Sequence, residues 1–226
     1  MLGAAPGLGR LMDGGKATCS VTLVSPRWAL TAGHCVAEHP PEDLELFFGD
    51  LSIGEIEPEE QVRTVRTVVL FPGWGSDDGL LVDDDLALLE LDESVDEASG
   101  LAPVVLAPLT SGCNGAFYGW GATTPAASSS DRLQTVRLAI VAPATCTEHL
   151  TELGEPQLRD RLLCAGAMGG EPGACHGDSG GPLFMRRGDD QVVVGIAVGG
   201  GPSCDEYSLF ASVGYYSDWI RETSAD

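Results

Sequence analysis

Short apolar-rich runs recur along the chain, separated by Gly, Pro, Asp and Ser. They cover residues 19–24, 44–48, 62–70, 86–91, 116–119, 133–141, 191–198 and 209–213. Within 62–70, the polar Thr64 and Arg66 interleave with Val65 and Val68, as on a strand with one face toward a core. Regular short strands punctuated by turn residues predict an all-β chain, a sandwich or barrels. Helical signals are few. Residues 144–152 suit a short helix, and 217–223 suit a terminal one with Ser217 as N-cap. No repeat of 20–50 residues occurs, and low complexity is confined to 126–130.

With 226 residues the chain can bury a sizeable core, as one domain or two small halves. Its 43% hydrophobic and 20% charged content suits a globular protein. No apolar run reaches the ~18 residues that span a bilayer, so no membrane partner is expected. The net charge of −22 repels phosphates, which excludes nucleic acid as a partner. It favours solubility and a salty medium. Lys16 is the only lysine in the chain. The seven cysteines lack the close pairs of a zinc site. Dispersed in a β-rich chain, they point to disulfides and an oxidising compartment, with one thiol left over. Residues 1–12 have neither a basic start nor a sustained apolar run, so they do not read as a secretory signal. The expectation is that a signal was removed or that the chain is part of a longer precursor.

Three stretches carry chemistry. The first is Gly177-Asp178-Ser179-Gly180-Gly181-Pro182. A serine hydroxyl is a weak nucleophile at neutral pH and needs a base and oxyanion donors. Glycines around Ser179 let the backbone turn tightly and aim its amides at one point. The second is Thr31-Ala32-Gly33-His34-Cys35, which supplies an imidazole. The third is Asp83-Asp84-Asp85, running into Leu86-Ala87-Leu88-Leu89. The last acid leads into an apolar strand, so its carboxylate should turn inward and find a partner such as an imidazole N–H.

These three stretches, in the order His, Asp, Ser, resemble the trypsin/chymotrypsin-like serine peptidases. That order separates the chain from subtilisins and α/β-hydrolases. Framework stretches agree over nearly the whole length: Ser25-Pro26-Arg27-Trp28, Gly119-Trp120-Gly121, Leu163-Cys164-Ala165-Gly166 and Tyr216-Ser217-Asp218-Trp219-Ile220.

The resemblance implies two six-stranded antiparallel β-barrels and a short C-terminal helix. The division is placed at 1–107, carrying His34 and Asp85, and 108–226, carrying Ser179, together one peptidase domain. In the implied reaction His34 moves the proton of Ser179, Asp85 fixes the imidazole, and the amides of Gly177 and Ser179 form the oxyanion hole. The implied disulfides are Cys19–Cys35, Cys146–Cys164 and Cys175–Cys204. Cys113 stays free because the region of its usual partner holds Met185. Gly173 would form the floor of the primary pocket, Val198, Gly199 and Gly200 its walls, and Ser208 its back. An uncharged floor favours apolar or neutral residues over basic ones, although Asp205 and Glu206 lie close enough in sequence to reach the rim. No cofactor is required. Asp50, Glu57 and Glu60 have the carboxylate spacing of a calcium loop, which would suit a structural Ca²⁺. The expected partner is a polypeptide substrate, the expected state a secreted monomer made as a zymogen.

The sequence also departs from the family. Val198 and Gly199 replace a serine and an aromatic. Asp178 would pair with a hydrophobic α-amino terminus that nothing before Met1 supplies. The expectations are a truncated chain, another group in that place, or an inactive chain. A silent homologue that binds through its cleft is therefore the alternative to an active endopeptidase, with an esterase on the same fold behind it.

Overall fold

A computed structural model describes every residue except 1–4, 56, 76–83, 98–100, 110–113, 125, 128, 155–159, 169–172, 201–202 and 226. Cys113, and with it the expected free thiol, lies outside the described residues.

Six strands build the first half. They are β1 (Leu8–Asp13), β2 (Lys16–Ser25), β3 (Trp28–Thr31), β4 (Leu44–Phe48), β5 (Gln61–Leu70) and β6 (Ala87–Leu91). They close into a barrel in the order β1-β2-β3-β6-β5-β4, and the β1–β4 ladder makes the seam. In β4, Leu44, Leu46 and Phe48 are buried while Glu45 and Phe47 are only half-buried, the period-2 pattern of a strand with one face in a core. Strand β2 differs. Its residues Cys19–Leu23 are all buried, polar Ser20 and Thr22 included. One face lines the barrel and the other is covered by the second half.

The second half contains β7 (Val105–Leu106), β8 (Asn114–Gly119), β9 (Gln134–Ala139), α1 (Pro143–Glu152), β10 (Leu162–Ala165), β11 (Pro182–Arg187), β12 (Asp190–Gly199), β13 (Ser208–Ser212) and α2 (Val213–Thr223). The main sheet runs β10-β13-β12-β11-β8-β9, and β7 pairs in parallel with β12. This half departs from a fully laddered six-stranded barrel. Among the described residues its two ends meet only through the bridge Ile140↔Ala165. Backbone bonds flank that bridge, from Gly166 N to Ala139 O at 2.8 Å and from Val141 N to Cys164 O at 3.0 Å. The Cys146–Cys164 disulfide ties α1 to the same seam. The Cys19–Cys35 and Cys175–Cys204 bridges also form.

Each half has its own core, around Leu46, Phe48 and Leu89 in the first and Phe117, Leu183 and Phe210 in the second. A third cluster joins Leu30, Leu86 and Leu88 to Phe184, Ile196, Tyr216 and Ile220. Apolar burial therefore helps to hold the halves together. Helix α2 starts four residues earlier than the sequence reading places it. Ser212 is its N-cap residue, whereas the Ser217 hydroxyl donates to Gly214 O inside the helix. Burial of Val213, Tyr216 and Ile220 on one face sets this start.

Candidate active site

His34 sits in a single 3₁₀ turn, Gly33–Cys35, directly after β3. Cys35 is bonded to Cys19 on β2, so the turn is pinned on both sides. Asp85 immediately precedes Leu86 and β6, and it is buried. Strands β3 and β6 pair through Leu30↔Leu88 and Thr31↔Ala87, which brings the two residues side by side. The His34 backbone N–H donates to Asp85 Oδ1 at 2.7 Å. His34 Nδ1 lies 2.6 Å from Asp85 Oδ2. A carboxylate at Nδ1 orients the ring and favours the tautomer whose Nε2 can accept a proton. Burial draws the His34 pKa down, but the hydrogen bond and charge of Asp85 outweigh it, and the net direction is upward.

Ser179 comes from the turn before β11 and lines the same cleft as His34, a cavity of about 220 Å³. The turn docks on the first barrel. Ser20 N donates to Ser179 O at 2.7 Å, and Thr22 Oγ1 donates to Gly180 O at 3.2 Å. This accounts for the buried hydroxyl of Thr22 on β2. Gly180 has φ +82°, and a side chain there would collide with Ser20 O and Thr31 Oγ1. Among the described residues, the amides of Gly177 and Ser179 donate to no protein acceptor, while Gly180 N binds Ala197 O at 2.8 Å. Two free amides bracket Ser179, the requirement for holding an oxyanion.

The structure sorts the pocket residues. Val198, Gly199 and Gly200 line the cleft with His34 and Ser179. Gly173 instead lines a neighbouring cavity of about 430 Å³. Ser208 is fully buried behind the wall and accepts the Ala174 amide at 2.8 Å. A Cβ on Gly173 would lie 2.7 Å from Ser208 Oγ, so the serine hydroxyl takes the space of a floor side chain. Asp205 lines the larger cavity rather than this cleft. His176, exposed at the cleft mouth, was not singled out from the sequence. Its position between Cys175 and an oxyanion glycine was the available signal.

Asp178 also lines the larger cavity. It is buried, and it accepts the amides of Gly121 and Cys175, each at 2.9 Å. The chain passes so close that a side chain on Gly121 would overlap the Asp178 carboxylate. Among the described residues no cationic side chain meets it. Burial outweighs the two amide bonds and pushes its pKa from 3.8 up to about 6. That shift means ionised Asp178 costs about 3 kcal/mol of stability at neutral pH. A raised acid pKa reverses the usual carboxylate sign. The cost is present above the folded value and is relieved as pH falls from about 6 toward 3.8. About 1 kcal/mol should return between pH 7 and pH 5. Urea unfolding of the Ser179→Ala protein at the two pH values measures it, and Asp178→Asn should abolish this increment.

The acidic loop after β4 is organised by an arginine. Arg10 on β1 donates through Nε, at 2.7 Å, and through Nη2 to Asp50 Oδ2, and both side chains are buried. Ser52 N donates to Asp50 Oδ1 at 2.9 Å, and Leu51 N to Glu57 Oε1 at 3.1 Å. Asp50, Glu57 and Glu60 do converge, with carboxylate oxygens within 4.8 Å of one another. Burial, then the charges of Asp50 and Glu57, raise the Glu60 pKa. Calcium takes six to eight oxygens. Here each oxygen of Asp50 already accepts a hydrogen bond and a guanidinium stands beside it, whereas Glu57 Oε2 is buried with no hydrogen-bond partner among the described residues.

A family model for trypsin matches residues 3–220. Trypsin-1 of Astacus astacus is 31% identical over 211 residues, covering 90% of this chain and 86% of that protein. Trypsin 5G1 of Aedes aegypti is 33% identical, with coverage of 91% and 75%. Snake venom serine protease 3 of Protobothrops jerdonii is 32% identical, with coverage of 92% and 78%.

Proposed function

Because the chain belongs to the trypsin family and is a serine-type endopeptidase, we propose that it cleaves polypeptides through Ser179, His34 and Asp85. The observation that carries this reading is the buried Asp85 carboxylate on His34 Nδ1, in a cleft shared with Ser179. His34 Nε2 takes the Ser179 proton as the hydroxyl attacks the scissile carbonyl. The tetrahedral oxyanion takes hydrogen bonds from the amides of Gly177 and Ser179. His34 then protonates the leaving amine, and water repeats the sequence on the acyl-enzyme. His34 must be neutral to act as base, so kcat/KM rises with pH through its raised pKa.

Among the described residues the cleft carries no acidic side chain at its wall, and a floor side chain at Gly173 would meet Ser208 Oγ. The enzyme therefore prefers apolar or neutral residues before the scissile bond and discriminates against Arg and Lys. Three disulfides support an oxidising medium, and we read it as a secreted monomer. Treatment with a phosphonofluoridate, followed by peptide mapping, is expected to place one adduct on Ser179. A panel of neutral and basic peptide amides reads the preference. Absence of labelling would overturn the reading in favour of a binding protein.

No divalent cation is required, because Arg10 already holds Asp50. Chelator or millimolar calcium should leave the Tm unchanged within about 1 °C, whereas Arg10→Met should lower it by several degrees by leaving a buried carboxylate unpaired.

A further inference from the structure

Asp84, the neighbour of Asp85, is as buried as Asp85 but faces elsewhere. Its backbone is left-handed, with φ +49°, a conformation that costs energy for a residue with a side chain. Leu86 N donates to Asp84 O at 2.7 Å, so Asp85 is the middle residue of a three-residue turn. Both carboxylate oxygens of Asp84 are engaged by the other half of the molecule. Tyr216 Oη on α2 donates to Oδ1 at 2.9 Å. Arg161, just before β10, donates from Nη1 to Oδ2 at 2.9 Å. A side chain on Gly73 would overlap the Asp84 carboxylate, so the chain opposite is shaped to admit it. Tyr216 is itself held edge-on by Phe71, with ring centroids 5.0 Å apart, and Arg161 lies over the Tyr215 ring at 5.7 Å.

We propose that Arg161 and Tyr216 are positioning residues for the reaction: by clamping Asp84 they hold the turn that aims Asp85 at His34, and Arg161 cancels the charge of the adjacent acid. The inference rests on the assignment of Asp85 and His34 to the reaction made above. Its physical basis is twofold. A strained turn persists only where its surroundings over-determine it, and the clamp supplies that from outside the barrel that carries the turn. An uncompensated Asp84 would add a second negative charge beside the His34–Asp85 pair and favour the imidazolium. Among the described residues, the ionisable groups around that pair and its clamp include Asp84, Arg161, Tyr216 and Tyr215 on the inner side, and His176 at the cleft.

The test compares Arg161→Met, Arg161→Lys, Tyr216→Phe and the double variant Asp84→Asn/Arg161→Met, using kcat, KM and the acid limb of kcat/KM on a neutral peptide amide. Tm is measured on the Ser179→Ala background. Arg161→Met is expected to lower kcat roughly 10- to 100-fold with KM changed less than about twofold. Its acid limb should move up by roughly half a pH unit or more. Arg161→Lys should restore most of kcat, and Tyr216→Phe should lose a part of it. Removing the Asp84 charge in the double variant should return the acid limb to its original place. An unchanged kcat and acid limb with only a lower Tm would overturn the proposal and leave an ordinary structural ion pair. If Asp85→Asn is as active as the parent enzyme, the underlying assignment fails and the proposal with it.

Discussion

Ser179→Ala lowers kcat by a factor on the order of 10⁶ and leaves KM and Tm close to their original values. The size follows from what remains. Without the hydroxyl there is no acyl-enzyme, so water must attack the carbonyl directly. The two free amides and the cleft still bind and polarise the substrate, which typically preserves a residual 10³–10⁴-fold over water. The structural cost is small because the turn is held through its own backbone oxygens, Ser179 O accepting from Ser20 N and Gly180 O from Thr22 Oγ1. Steady-state kinetics on a peptide amide, with loss of phosphonofluoridate labelling, checks it. Activity retained to within tenfold would remove Ser179 from the mechanism.

Asp85→Asn is the second large effect, about 10⁴-fold in kcat. The carboxylate now accepts from His34 N at 2.7 Å and faces Nδ1 at 2.6 Å. An amide has one acceptor oxygen for these two places. If the oxygen keeps the backbone N–H, the NH₂ faces Nδ1 and drives the ring toward the tautomer with its proton on Nε2. That nitrogen then cannot take the serine proton. The His34 pKa also falls, because the hydrogen bond and charge that raise it are gone. The acid limb of kcat/KM should therefore move to lower pH while the plateau collapses. NMR titration of the imidazole reports the first, turnover the second. A collapse without a shift would mean that Asp85 acts on geometry alone.

The chemistry of the site is legible in the sequence where a residue type is costly to place without a partner. Asp85 before Leu86-Ala87-Leu88-Leu89 and Ser179 among glycines are of that kind. Legibility fails where a position depends on contacts from far along the chain. The apolar pattern alone does not mark strand β1, since Gly9 and Arg10 interrupt it. In the structure Gly9 makes room for the Phe48 ring, and Arg10 is paired with Asp50, forty residues away. Gly173 is the pocket floor that the resemblance implies; in the structure it lines the neighbouring cavity, and a side chain there would meet Ser208 Oγ, a contact from far along the chain. Among the described residues the second barrel closes by a single bridge, which leaves no periodic trace at Ile140 or Ala165. The run of three acids hid two different fates. Asp85 faces the imidazole, and Asp84 faces Arg161 and Tyr216.

The docking of the serine turn on β2 also sets an order in time. Every strand of the first barrel precedes residue 92, and Ser179 follows nearly ninety residues later. Domains fold from the N-terminal side as a chain is made. The barrel can thus be complete, with His34 and Asp85 already paired, while the nucleophile is not yet synthesised. Ser20 N and Thr22 Oγ1 then wait as a preset template, and the turn takes its working shape by settling on them. On the proposed mechanism a nascent chain holds no complete site until that late step, because His34 and Asp85 lie in one half and Ser179 in the other.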